Sequence, residues 1–312
     1  MTMLSRVAQR LYWLSRYLER AEDTARLTNA YVHLIMDIPT VAGFDWDVLV
    51  DILDAQPDFA KHYRVHNEQN VLKFLIADED NPSSIRFAVK QARENMRTTR
   101  DALPQEVWEH VNELYLYVEE YAAKSVGRRN RYGFLEQVMT RCQMIGGLMN
   151  STLSRDHAYR FIKMGYLLER ADMTTRVIDV GVAAIFKREV LSETIDPLLW
   201  GSLLKSLSAL GTYRRAVGPL VDGDAVVEFV FKERTLPRSV LYCLLGIKEE
   251  MKPLRNNEEA QKITEHARRR VSRLASVRMP RQRLHTFIDE LQMTLNALNT
   301  SITDTWFSAG EE

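Results

Sequence analysis

The sequence predicts an all-α protein, a large helical bundle of about ten helices built from two tandem copies of one helical unit. Three observations lead to this prediction. Apolar residues recur at helical spacing along most of the chain, strand-like alternation is nowhere sustained, and one short motif occurs twice, 150 positions apart. We expect the two copies to pack into a single core with pseudo-two-fold symmetry.

The first predicted helix runs from about Leu4 to Asp37. Its apolar residues recur every three or four positions and share one stripe, formed by Val7, Leu11, Leu14, Leu18, Ala21 and Ala25. Pro and Gly interrupt the helical pattern further on, at residues 37–45, 78–84, 125–133, 217–224, 234–239 and 251–257. In the second of these breaks, Asn81 suits the N-cap of a new helix and Pro82 its first turn.

The repeat extends well beyond one motif. LERAEDTAR at 18–26 returns as LERADMTTR at 168–176, and further residues repeat at offsets of 150 to 155: Trp46 and Trp200, Val71 and Val226, Pro82 and Pro237, Ser84 and Ser239. A solenoid would have a period of about 20 to 50 residues, so we predict a duplication instead. The predicted organisation is a single domain over 1–312 with internal repeats at approximately 1–130 and 150–305, and a partly helical connector at 125–150.

Composition excludes several classes of function. Lys and Arg together number 42, as do Asp and Glu, so no net field favours nucleic acid or an anionic membrane. The two cysteines, Cys142 and Cys243, predict reduced thiols in the cytoplasm rather than a disulfide framework. No apolar run approaches the roughly 20 residues that span a bilayer, and no signal peptide is evident. We expect a soluble cytoplasmic protein; homo-oligomer formation stays open.

Metal, nucleophile and nucleotide motifs are absent from the sequence. Carboxylate-bridged metal sites in helical bundles use Glu-x-x-His, but no glutamate of the repeated motifs has a histidine three residues later. There is no Gly-x-Ser-x-Gly and no phosphate-binding glycine loop, so we predict no metal, no cofactor and no ATP binding by this chain alone. The glycine pair Gly146-Gly147 lies in an apolar helical pattern and predicts a close-packing point.

Four segments resemble those of a known family: LERAEDTARL (18–27), NPSSIRFAVKQARENMRTTRDAL (81–103), LLERADMTTRVID (167–179) and LPRSVLYCL (236–244). The chain resembles the Alpha-E family, bacterial all-helical proteins named for a Glu-Arg motif, over essentially its whole length. Members are typically encoded beside, or fused to, a circularly permuted ATP-grasp protein, often with a transglutaminase-like protein nearby. ATP-grasp enzymes join a carboxylate to an amine through an acyl phosphate. The resemblance therefore implies an accessory or co-catalytic subunit of such a ligase.

The helical geometry of the Glu-Arg motif can be worked out from the stripe. If Leu18 marks the stripe centre, Glu22 lies about 40° and Glu19 about 100° from it. Arg20 and Arg170 lie about 200° away, towards water or a second layer of helices. The second copy places Gly165 beside its carboxylates, where a small residue lets a neighbouring helix or a ligand approach closely.

Three hypotheses for the motif remain open from the sequence. A buried ion-pair network would fix the register of the two halves. A polar cleft would bind an amine at glutamates and a carboxylate or phosphate at arginines, and could make the chain a stand-alone transferase with the candidate catalytic residues Glu19, Glu169 and Arg170. A purely structural interaction scaffold is the third. The candidate ligand-binding residues are Arg20, Glu22, Arg26, Asp172 and Arg176, with Ser84, Arg238 and Ser239 at two helix starts that suit anions.

Overall fold

The structure is a computed structural model that describes residues 4–37, 46–186, 192–275 and 280–308. These residues form α-helices joined by turns and contain no strand, which confirms the all-α prediction. The fourteen helices are α1 Ser5–Asp37, α2 Asp47–Ile52, α3 Gln56–His62, α4 Glu68–Ile76, α5 Ile85–Arg97, α6 Gln105–Tyr121, α7 Arg128–Thr152, α8 His157–Phe186, α9 Ser192–Ser206, α10 Leu210–Ala216, α11 Gly223–Lys232, α12 Val240–Met251, α13 Glu258–Ser272 and α14 Arg281–Trp306. The predicted number of about ten is too low, because helices of two turns are too short to show a periodic stripe. The predicted break at 37–45 lies almost wholly outside the described residues.

Helix α1 lies between two hydrophobic clusters. Its predicted stripe is fully buried from Leu11 onwards, in a cluster with residues of α5, α6 and α7, and Val7 at its start is partly buried. Tyr12 and Leu27, on the other side of α1, belong to a second cluster with residues of α8, α9 and α11 to α14. The expectation of a single core is therefore wrong. A long helix that is buried on several sides separates the apolar interior into two clusters.

Helices α1 and α8 carry the repeated motif and pack against each other in parallel. Gly165 lies opposite Tyr12 and Ser15, and Arg170 lies opposite Glu19, so the contacts advance in the same direction along both helices. A Cβ added at Gly165 would lie 2.1 Å from Ser15 Oγ and 2.4 Å from the Tyr12 carbonyl oxygen. The predicted close approach at this small residue is confirmed, and the neighbour is a helix.

Helices α5 and α12 begin at equivalent serines. The hydroxyls of Ser84 and Ser239 accept a hydrogen bond from the backbone N–H three residues later, at 3.0 and 3.1 Å, as N-cap residues do. Both residues are fully buried, so these predicted anion sites are internal helix caps. The N-cap predicted at Asn81 is wrong by three residues. Its amide bonds to the backbone of Phe74 and Ser83 and so shapes the turn before the helix.

Helices α7 and α8 form an antiparallel pair that positions the candidate site. The predicted connector at 125–150 is helical over most of its length, as part of α7. The Tyr159 hydroxyl donates to Asn150 Oδ1 at 3.2 Å, while Gly146 lies near the Tyr166 hydroxyl, so contacts run in opposite directions along the two helices. Across the described ranges, no helix is both long enough and apolar enough to cross a bilayer.

Candidate functional site

The Glu-Arg motifs of α1 and α8 pair with each other reciprocally. Arg170 donates from Nε and Nη2 to the two carboxylate oxygens of Glu19, at 2.7 and 2.8 Å. Arg20 donates in the same way to Glu169, at 2.5 and 3.1 Å. Each glutamate thus holds the arginine of the other motif in a bidentate pair. Two copies of one unit that meet along α1 and α8 would give this reciprocal pairing. The duplication of the whole chain stays a prediction.

Arg20 and Arg170 take one of the two directions that the sequence geometry allowed, towards neighbouring helices. The side chains are only 18% exposed, and they turn to the facing helix rather than to water. Because α1 packs against α5, α7, α8 and α9, a direction 200° from the stripe centre also leads into the protein.

Glu169 has a second cation that the sequence did not reveal. Arg16 Nε lies 2.6 Å from Glu169 Oε2, and Asn299 of α14 accepts from both Arg16 and the Tyr12 hydroxyl. Burial acts to raise the pKa of the Glu169 carboxyl, but Arg16 and Arg20 outweigh it and hold this pKa at about 2. Glu169 is therefore an anion throughout the physiological pH range. Arg16 carries a usable sequence signal, since it lies one turn before Arg20, whereas Asn299 carries none.

Glu19 also has a second cation, Arg238, from the start of α12. Arg238 Nη1 lies 2.9 Å from Glu19 Oε1 and 2.5 Å from Asp23 Oδ1, and its Nη2 lies 3.0 Å from Glu22 Oε1. The arginine is 7% exposed. This predicted ligand-binding residue therefore contacts three carboxyl groups inside the protein.

The remaining candidate ligand-binding residues form pairs within their own helices. Arg26 donates to Glu22 at 2.9 and 2.7 Å, and Arg176 donates to Asp172 at 2.8 Å. Both pairs have the predicted four-residue spacing. Both guanidiniums thus lie against carboxylates of the chain. A ligand can meet only those carboxylate oxygens of Glu22 and Asp172 that the arginines do not bind.

Asp23 is the least satisfied carboxylate of this network. It is 3% exposed, and its Oδ2 has no hydrogen-bond partner among the described residues. Burial raises the pKa of Asp23 to about 8; Arg238 opposes this shift, and Glu19 and Glu22 add to it. The close contact with Arg238 does not prevent the shift, because that guanidinium is shared with two other carboxylates. Asp23 is thus protonated in the folded protein at neutral pH.

We expect Asp23 to reduce stability as the pH rises from about 4 to about 8. In the unfolded chain it ionises near pH 3.8, so within this window the folded state binds one proton more. The free energy of unfolding then falls by about 1.4 kcal/mol per pH unit from this group. Asp23→Asn cannot ionise, so its urea-unfolding free energy should fall less between pH 5 and pH 8 than that of the wild type. Equal falls would contradict the assignment.

A cleft of about 230 Å³ opens beside the ion pairs, between α1, α7 and α8. Its charged and polar wall groups include Glu19, Glu22, Gln143, Lys163, Tyr166 and Arg170. The structure therefore brings three of the predicted site residues, Glu19, Glu22 and Arg170, to one cleft. It separates them from Glu169, which does not line this cleft.

The cleft groups suit binding better than nucleophilic chemistry. Burial, with the nearby glutamates, raises the pKa of the Cys142 thiol and that of the Tyr166 hydroxyl well above their usual values. Neither group is ionised at neutral pH, and a thiol rather than a thiolate is a poor nucleophile. Burial raises the pKa of the other cysteine, Cys243, to about 12, and both cysteines are free, as the sequence predicts.

One cluster combines histidine and carboxylates, although the sequence showed no ligand spacing. His285 Nδ1 lies 2.7 Å from Asp179 Oδ1, and His285 Nε2 lies 3.5 Å from Asp289 Oδ2. Among the described residues these three are a group whose ligand atoms could hold a metal ion. Both imidazole nitrogens face a carboxylate, and the hydrogen bond to Asp179 raises the pKa of His285, which fits an ion pair. Asp179 lies 106 positions from His285, so no short spacing in the sequence indicates that the two residues meet.

Comparison with known families supports the whole-chain resemblance. The model of the family Alpha-E, described as a predicted alpha-helical domain with a conserved ER motif, matches residues 3–307. The matched range includes both Glu-Arg pairs described above. Searches of curated proteins and of solved structures gave no match.

Proposed function

Because this chain belongs to the Alpha-E family, we propose that it acts as an accessory or co-catalytic subunit of an ATP-grasp carboxylate-amine ligase, in peptide or amide bond formation. The observation that favours a supporting role is the pairing of the Glu-Arg centre. Both glutamates hold arginines in bidentate contacts, and neither carboxylate is left to act on a substrate by itself.

The pKa shifts at this centre argue against acid-base catalysis by the motif. Burial acts to raise the pKa of Glu19, but Arg170 and Arg238 outweigh it and lower that pKa. The Glu19 carboxylate in turn outweighs burial and raises the pKa of Arg170. An efficient general acid or base has a pKa near the operating pH, and these groups are moved away from it. The motif thus locks α1 to α8 and forms one wall of the cleft.

The features of this chain indicate which part of the reaction each of the two proteins would perform. The sequence has no phosphate-binding glycine loop, so the ATP chemistry belongs to the ligase. This chain would supply a shaped polar cleft and a docking partner, with a transglutaminase-like protein as a further associate. Two buried free cysteines suit the cytoplasmic location that the proposal assumes.

The test is reconstitution. The purified protein, its ATP-grasp neighbour, ATP and candidate amino acids should release ADP and form product only when both proteins are present. Product formed by this chain without the ligase would instead support a stand-alone transferase. If the ligase works equally well without this chain, the co-catalytic role fails and a purely structural scaffold is the better account.

A further inference from the structure

We propose that the cleft between α7 and α8 binds a short peptide with free termini, its ammonium group at Glu22 and its carboxylate at Lys163. This inference goes beyond the ligase partnership, because binding to the cleft is a property of this chain alone. It depends on three features of the cleft: a carboxylate oxygen without a partner, an ammonium group without a partner, and open space between them.

The acidic end is Glu22. Arg26, Gln143 and Arg238 all donate to its Oε1, at 2.7 to 3.3 Å. Its Oε2 accepts no hydrogen bond from the described residues. The three donors fix the orientation of the carboxylate while leaving one oxygen for an incoming N–H group. An ammonium group is the strongest donor that this oxygen could meet.

The basic end is Lys163, on the face of α8 that lines the cleft. It makes no hydrogen bond or ion pair with the described residues. Its neighbour Glu250 is held by Arg160 at 3.0 Å. Burial is the largest cause that lowers the pKa of Lys163, and the nearby Arg170 guanidinium is the second. The positive charge of Lys163 is therefore poorly compensated. A ligand carboxylate would supply the missing counter-charge.

The separation of the two ends sets the size of the ligand. Lys163 lies seven residues before Arg170, which is level with Glu19 on α1. Glu22 lies three residues further along α1 in the same direction, so at 1.5 Å per helical residue the levels of Lys163 and Glu22 are about 15 Å apart. An extended peptide spans roughly 3.3 to 3.6 Å per residue, so about four residues match this distance.

The middle of the cleft is open and offers a polar contact. A Cβ added at Gly147 would meet nothing within 4 Å, and at Gly146 only the Tyr166 hydroxyl, at 3.8 Å. The close-packing point predicted for this glycine pair is therefore wrong at Gly147, since the missing side chain leaves space. The Tyr166 hydroxyl is buried without a hydrogen-bond partner among the described residues. A peptide N–H or C=O passing through the cleft would satisfy it.

Calorimetry with the full-length protein tests the inference directly. Tetraglycine should bind, whereas N-acetyl-tetraglycine, which lacks the ammonium group, and tetraglycine amide, which lacks the carboxylate, should each bind at least about tenfold more weakly. Equal binding of all three peptides, or no binding of tetraglycine, would overturn the inference. Binding of inorganic phosphate or 1,4-diaminobutane as tightly as tetraglycine would also overturn it, since one sign of charge would then suffice.

Two variants of α7 localise the binding. Gly147→Leu adds a side chain at the wall of the cleft, where a Cβ meets nothing within 4 Å, and should abolish tetraglycine binding. Gly133→Leu is the matched control, because Gly133 lies on the same helix, is exposed, lacks close neighbours and does not line the cleft. Lys163→Met should weaken binding without loss of thermal stability, since it breaks no ion pair. Tetraglycine binding unchanged in Gly147→Leu would contradict the site. A ligase that requires this chain although tetraglycine does not bind would overturn this inference alone.

Discussion

Glu19→Gln should destabilise the protein by about 3 to 5 kcal/mol, the largest effect that we expect from a single side-chain substitution in the network. Glu19 is fully buried and neutralises both Arg170 and Arg238. The neutral amide leaves these guanidiniums buried without sufficient negative charge, and they cannot lose their protons. Glu169→Gln should have a similar effect through Arg16 and Arg20. Urea unfolding at pH 7 gives both values.

Glu94→Gln is the control for these substitutions. Glu94 also pairs with two arginines, Arg93 and Arg97, but its side chain is 42% exposed. Exposed ion pairs contribute less than about 1 kcal/mol, so this variant should unfold almost as the wild type does. If Glu19→Gln were as harmless as Glu94→Gln while an associated activity disappeared, the motif would act on a substrate rather than as a structural lock.

Gly165→Ala should destabilise the protein by on the order of 3 kcal/mol. The new methyl group would lie 2.4 Å from the carbonyl oxygen of Tyr12, and backbone cannot move aside as a flexible side chain can. α1 and α8 would have to separate at the level where their ion pairs begin. This loss exceeds the roughly 1 kcal/mol that alanine gains over glycine within a helix. Thermal unfolding measures the difference.

The matched control is Gly133→Ala. Gly133 is also helical, but a Cβ there meets nothing within 4 Å. The alanine should therefore stabilise the protein by up to about 1 kcal/mol through helix propensity alone. Opposite signs for the two substitutions would show that helix-helix contact, rather than helix propensity, governs Gly165. The same sign for both would contradict the close approach of α1 and α8.

The sequence predicts the helical class, the buried stripe of α1 and the close approach at Gly165, because each depends on local periodicity or residue size. It does not predict the partners of the motif. The helical angle left the direction of Arg20 open between water and a second layer of helices, and the enclosure of α1 by several helices decides between them. Arg238 and Asn299 reach the same centre from distant parts of the chain, and no local pattern indicates that they meet it.

The cleft shows a second limit of sequence patterns. Gly165 and Gly147 both lie in helices, yet one admits a neighbouring backbone and the other leaves open space. A glycine in a sequence reports only that a side chain is missing, and the packing around it decides what fills the gap. The unpaired state of Lys163 is equally invisible in the sequence, because it depends on which carboxylates the fold brings within reach.

The Glu-Arg motifs hold α1 and α8 together through reciprocal ion pairs, and this coupling between the helices is measurable. A double-mutant cycle on Glu19 and Arg170 tests it most directly, with urea unfolding of the wild type, Glu19→Gln, Arg170→Gln and the double variant. We predict that the double variant is less destabilised than the sum of the single variants by about 1 to 3 kcal/mol, because each single variant already loses the shared pair. Additivity within about 0.5 kcal/mol would contradict the claim.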